Sequence, residues 1–236
     1  MRTLFTLTLL FTLLSPAAHA AQTWQNSGSP ATVVELYTSE GCYSCPPAEA
    51  ALNQLKNKAE LWQRVIPMAF HVDYWNYIGW IDQYAKPEFS QRQRDKVADG
   101  KGSGVYTPGW FINDQEWRGF FARQPVPYAN GPFAPALKAS LDGRVLKVEF
   151  EGDETLNAQF ALLAMDITTQ VQRGENRGKT LEHDFVVVDF GSQSGQKQWQ
   201  FVLNDETAAS PSAIAVWLTP STGGDPVQTV AGWLAP

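Results

Sequence analysis

Apolar and polar residues alternate in two rhythms along the chain, and the change of rhythm at Asp142-Gly143 divides it. Before that point, the apolar runs Ala31 to Tyr37 and Arg64 to Val72 read as buried strands flanking an amphipathic helix, Pro47 to Lys58. Pro87 to Ala98 predicts a second helix with a polar face, and Gly100 to Gly104 a glycine-rich loop. Gly109 to Asn113 with Glu116 to Phe120 predicts a hairpin, and Phe133 to Leu141 a closing helix. After the break the runs are short and alternate with period two. Leu146, Val148 and Phe150 share one parity while Lys147 and Glu149 take the other, as in a half-buried strand. Arg144 to Phe150, Asn157 to Asp166, Leu181 to Phe190, Lys197 to Leu203, Ala213 to Leu218 and Val227 to Leu234 all read as strands, enough for a small antiparallel sandwich.

The first twenty residues belong to neither rhythm. Arg2, an apolar run from Leu4 to Leu14 and Ala18-His19-Ala20 have the layout of an export signal with its cleavage site, so the mature chain is expected to begin at Ala21. The apolar run is shorter than the roughly 20 residues a membrane-spanning helix needs, and no later stretch approaches that length. The expected destination is the periplasm or the exterior, with no membrane attachment after cleavage, and there a disulfide persists. The formal charge of the 236 residues is −6, and loss of Arg2 makes it −7. With no basic run or stripe, this balance argues against nucleic acid and anionic membrane as partners. Oligomeric state is not legible.

The two cysteines, Cys42 and Cys45, frame Tyr43-Ser44 where the first strand gives way to the first helix. A Cys-x-x-Cys turn between strand and helix is the setting of a thioredoxin-like dithiol. The pattern therefore predicts an α/β thioredoxin-like domain over residues 21–142, after a signal peptide at 1–20, followed by a smaller all-β, sandwich-like domain over 143–236. Cys42, first to leave the strand, is the expected exposed nucleophile, and Cys45 the buried resolving thiol, with helix amides favouring a thiolate. A bridge across two residues closes almost no loop and so stabilises little, which favours a redox role over a structural one. Thr107-Pro108, directly before the hairpin, is expected to be cis and to offer Tyr106 and Thr107 as backbone for a bound peptide. His71 and Asp73, ending the second strand, are the expected proton shuttles, and Trp75 with Tyr43 and Ser44 the expected contacts for an extended partner. Alternatively, Cys42, Cys45 and His71 would suit copper, or zinc with a fourth ligand. A third reading is a binding module with a structural bridge. The charged run Val171 to Lys179 reads as a solvated loop or as one docked against the first domain.

Taken together, Leu36 to Ala48 with its Cys-x-x-Cys-Pro-Pro, His71-Val72-Asp73-Tyr74-Trp75, Gly79-Trp80, Arg92-Gln93, Tyr106-Thr107-Pro108 and Arg173 to Gly178 resemble an exported, thioredoxin-like bacterial family of unknown function. The resemblance implies a thioredoxin-like site followed by a β-rich portion and supplies no substrate. The expected activity is thiol–disulfide exchange with an exported protein dithiol or disulfide through Cys42 and Cys45, without a dissociable cofactor.

Overall fold

A computed structural model describes residues 21–128 and 131–235 of the chain; the expected leader lies outside the described residues. The architecture is mixed α/β, mostly strand. β1 (Gln22–Asn26) precedes β2 (Thr32–Thr38), α1 (Pro46–Asn53), β3 (Val65–His71), α2 (Pro87–Ala98), β4 (Gly109–Ile112) and β5 (Gln115–Glu116). Then come β6 (Leu137–Asp142), β7 (Val145–Phe150), β8 (Thr155–Ala164), β9 (Ile167–Gln170), β10 (Thr180–His183), β11 (Val186–Gln196), β12 (Gln198–Val202), β13 (Ala213–Pro220) and β14 (Gln228–Trp233).

Eight strands form one sheet in the order β14-β13-β8-β11-β3-β2-β4-β5, and four more form a second, β1-β6-β7-β12. β2 and β3 run parallel, as a strand–helix–strand unit requires, and β4 returns antiparallel beside β2 with Tyr37 facing Gly109. Both faces of this region are covered, so β2 and β3 are buried throughout. Alternation along β2 assigns the faces: Val34 and Leu36 pack with Ala48 and Leu52 of α1, whereas Val33 and Tyr37 pack with Phe89 of α2. On the far half of the large sheet, β8, β11 and β13 turn Phe160, Val188 and Val216 toward Leu137, Leu146 and Val148 of the small sheet, giving two sheets face to face.

The expected boundary after residue 142 falls in the turn of the β6–β7 hairpin, whose strands pair from Leu137–Phe150 to Asp142–Val145. The large sheet draws β2 to β5 from one side of that point and β8, β11, β13 and β14 from the other. The seam is short: Val186 of β11 lies beside Ala69 of β3, and the Ala69 N–H donates to the Phe185 carbonyl.

Three element expectations are corrected. Phe133 to Leu141 is not a helix: the four-residue spacing of Phe133, Leu137 and Leu141 imitates one, but Pro135 interrupts it and β1 and β7 offer strand partners on both sides of β6. The hairpin partner of β4 is only two residues long before the chain coils at Gly119–Ala122. Leu181 to Phe190 is two strands, because Phe185 takes a positive φ of 61° between β10 and β11.

Candidate functional site

The cysteine turn sits at the carboxyl end of β2, and Cys45 is the N-cap of α1, with Pro46 in its first turn. Pro is tolerated there because the first-turn N–H groups lack intrahelical partners anyway. The Cys45 carbonyl accepts the N–H groups of Ala48 and Glu49, and Cys45 N–H donates to the Cys42 carbonyl. Cys42 and Cys45 are joined in a disulfide, Cα atoms 5.4 Å apart. Cys42 was expected to be exposed; it is 1 % exposed and Cys45 is fully buried, while Tyr43 and Ser44 between them face outward.

The turn is also held from far away in sequence. β9 and β10 form a separate antiparallel ribbon, and their connection, residues 171–179, is fastened to the cysteine turn. The buried Asn176 side chain donates to the carbonyls of both Glu40 and Cys42, at 2.8 and 2.9 Å. Glu175 accepts the Tyr43 N–H, and Lys179 Nζ stands 4.3 Å over the Tyr43 ring. The charged run is thus docked through Asn176, while most of its other side chains remain exposed. On the other flank a 3-10 turn, Asp73–Ile78, presses so close that a Cβ on Gly41 would meet Trp75 Cβ at 3.1 Å.

The Thr107-Pro108 bond is cis, and Pro108 is buried at the start of β4 beside the end of β2. Trp75 Nε1 donates to Thr107 Oγ1 at 2.7 Å, linking that turn to the wall beside Gly41. Tyr106 is committed internally: its hydroxyl donates to Glu116 and its carbonyl accepts Gln93 Nε2. Asp73 is not brought to the cysteine turn by any contact. Its carboxylate accepts Ser90 Oγ of α2, because the strand ends at His71 and the 3-10 turn breaks the parity that would have aligned Asp73 with it.

His71 does join the site, inside a buried cluster that sequence reading did not assemble. His71 Nδ1 pairs with Asp82 Oδ2 at 2.7 Å, and the same oxygen accepts the Glu40 N–H, two residues from Cys42. Glu40 accepts Trp80 Nε1 through its other carboxylate oxygen and lies 3.4 Å from His183 Nε2. His183 Nδ1 pairs with Glu49, which also accepts Thr38 Oγ1. The side chains of Glu40, His71 and Asp82 are fully buried and that of His183 nearly so. Burial works to strip His183 of its proton, but Glu49 and Glu40 outweigh it and push its pKa up to about 10. Burial likewise opposes a charge on His71, and Asp82 overcomes it, raising that pKa too. Glu49 and Asp82 lie below the usual carboxylate range, the imidazoles outweighing desolvation.

Apart from His71, Glu49 is the residue of this cluster that the hydrophobic pattern marks. Cys45, Ala48, Glu49 and Leu52 lie on the buried stripe of α1, at spacings of three, four and seven, so an acid stands where an apolar residue is expected. Asp82 and His183 come from loop and ribbon positions that no local rhythm marks.

Residues 33–219 match a family described as a protein of unknown function (DUF1223). The chain belongs to that family. No curated protein matches this DUF1223 chain. The X-ray crystal structure of protein AGR_C_4864 from Agrobacterium tumefaciens is similar at 25 % identity and a TM-score of 0.61, covering 87 % of this chain and 94 % of that one. HBP35 of Porphyromonas gingivalis is similar at 12 % identity and a TM-score of 0.55, covering 88 % of this chain and 76 % of that one, a likeness of fold alone.

Proposed function

We propose that the protein is an exported thiol–disulfide exchange protein of thioredoxin-like build, working through Cys42 and Cys45 on a protein partner. The observation that carries the reading is the placement of the pair. Cys42 and Cys45 lie where a central parallel strand passes into its helix, and the neighbouring antiparallel strand opens beside the end of that same parallel strand.

In the cycle, a partner thiolate attacks Cys42 Sγ, the bond to Cys45 breaks, and Cys45 leaves as thiolate, giving a mixed disulfide. A second partner thiolate then displaces Cys42. Two electrons and two protons pass from the partner to the pair, and the reverse sequence reduces a partner disulfide. Because Cys42 is buried and its turn is tied to the 171–179 segment, release of that segment is the proposed route by which a protein partner reaches the sulfur. The exposed Tyr43 and Ser44 are the groups first met by that partner.

The test is to equilibrate the protein in glutathione buffers and to trap partners on a Cys45→Ala variant. The expected potential lies within the range of known exchange proteins, about −270 to −120 mV, with partners attached through Cys42. A potential below about −300 mV with nothing trapped would mark an inert structural bond and end the proposal.

A further inference from the structure

We propose that His71, His183 and Glu40 bind a single divalent first-row transition ion, with Asp82 and Glu49 holding the two imidazoles from behind. The inference stands independently of disulfide exchange. It begins from three buried atoms with no hydrogen-bond partner among the described residues: His71 Nε2, His183 Nε2 and Glu40 Oε1. Buried polar atoms are nearly always satisfied, and here three unsatisfied ones belong to one cluster.

Each ring has its other nitrogen taken by a carboxylate, His71 Nδ1 by Asp82 and His183 Nδ1 by Glu49. A carboxylate behind an imidazole is the arrangement that orients a metal ligand and leaves the remaining nitrogen facing the ion. The two rings stand 5.3 Å apart at 77°, and together with Glu49 they offer ligand atoms within 4.8 Å of one another. The third unsatisfied atom lies beside His183. His183 Nε2 and Glu40 Oε1 are 3.4 Å apart, beyond the usual N–H···O distance. Two donors each roughly 2.0–2.1 Å from one tetrahedral ion are about 3.3–3.4 Å apart, which is the spacing found. Trp80 Nε1 holds the other Glu40 oxygen and so fixes the direction of Oε1.

Charge points the same way. Glu40, Glu49 and Asp82 meet in the interior, and none pairs with a lysine or arginine among the described residues. A dication offsets most of that negative charge without a long cationic side chain. Two imidazoles and a carboxylate suit zinc or ferrous iron better than calcium or magnesium, which prefer all-oxygen shells. Bound there, the ion clamps three separate pieces of chain: the cysteine turn through Glu40, the end of β3 through His71, and the ribbon through His183. The competing account is that two imidazolium protons occupy the cluster and no metal enters.

Binding is measured on the full, oxidised protein, stripped with chelator, supplied with zinc ion alone and passed through gel filtration before elemental analysis. The expected result is one zinc per chain, undiminished in a Cys42→Ser/Cys45→Ser double variant. Asp82→Asn is expected to weaken binding roughly 10- to 100-fold, and His183→Gln to abolish it. Should His183→Gln fail to fold, cobalt substitution of the unaltered chain decides: visible ligand-field bands without a thiolate charge-transfer band are expected. The proposal fails if the oxidised chain retains no zinc, if folded His183→Gln retains it fully, or if binding vanishes with the cysteines.

Discussion

Asn176 ties the 171–179 segment to the backbone of the cysteine turn. Its amide nitrogen serves two buried carbonyls, those of Glu40 and Cys42, and its oxygen accepts Lys179 Nζ within its own loop. Replacing it by alanine removes the side-chain donor from the buried Glu40 carbonyl and leaves the Cys42 carbonyl only the Cys45 N–H, at a cost of about 1–3 kcal/mol in a closed site, so the loop is expected to detach more often at little cost to the distant core. Asn176→Ala should therefore be reduced faster by dithiothreitol than the parent, and an unchanged rate would show that the 171–179 segment is not what covers Cys42. The same residue shows why the site was only partly legible. Cys42 and Cys45 announce themselves because they are the only cysteines and stand at a change of rhythm. Asn176 looks like any polar residue in a charged run, and its partners lie more than 130 positions away.

At the scale of elements, the pairing of α2 with β2 is electrostatic as well as apolar. Glu35 points to the α2 face with Val33 and Tyr37, and Arg92 grips both its oxygens, with Nη2 at 2.6 Å and Nε at 3.3 Å. Lys96 lies 3.3 Å from Glu35 and also pairs with Asp114 at the β4–β5 turn, while the Arg92 guanidinium stacks 4.8 Å from the Phe190 ring of β11. Burial alone would raise the Glu35 pKa, but Arg92 and Lys96 reverse this and hold it below its ordinary 4.5; Asp114 is held below 3.8 against its own desolvation by Lys96 and Lys101. A carboxylate whose folded pKa is depressed gives its full stabilisation above the unfolded value and loses it as pH falls through the folded one. Stability measured by urea titration should therefore fall below pH 4.5. Glu35→Gln, which leaves the buried Lys96 ammonium and the partly buried Arg92 guanidinium facing a neutral amide, should cost about 3–5 kcal/mol at neutral pH and flatten the acid limb. An equally steep acid limb in the variant would remove Glu35 from the account. The main elements, β2, α1, β3, α2 and β4, were readable because period two and period 3.6 are each clear there. Over β6, Phe133, Leu137 and Leu141 fit both periods, and Pro135 together with β1 and β7 as partners decides for strand. The inward face of Glu35 follows from parity, but its partners on α2 and β4 do not.

For the whole molecule, the question is whether the two rhythms of the sequence mark two folding units. The apolar cluster beneath α2 takes Tyr37, Ile66, Phe70 and Phe89 from the first half and Leu163, Val187, Ala215 and Trp217 from the second. β1, near the start of the described chain, pairs with β6 and packs against β14 near its end, with Gln22 donating to the Trp233 carbonyl. The β9–β10 ribbon sends His183 into the cluster beneath the cysteine turn, and Lys56 after α1 pairs with Asp184 at 2.9 Å. Removing residues 143–235 would uncover the β3 edge, leave β6 without β7 and open half of the cluster under α2, so the first half alone has no complete core. The expectation is a single cooperative transition in which far-ultraviolet ellipticity, tryptophan fluorescence and calorimetric heat coincide, with calorimetric and van't Hoff enthalpies equal. A chain ending at residue 142 should lack a sigmoidal transition. Two separated transitions, or a folded fragment with a closed Cys42–Cys45 bond, would mean that the seam at Ala69 and Val186 joins two autonomous bodies. The ribbon would then be a docked cover rather than part of one core, and the loop over Cys42 would open by whole-body separation instead of by the local release that Asn176 controls.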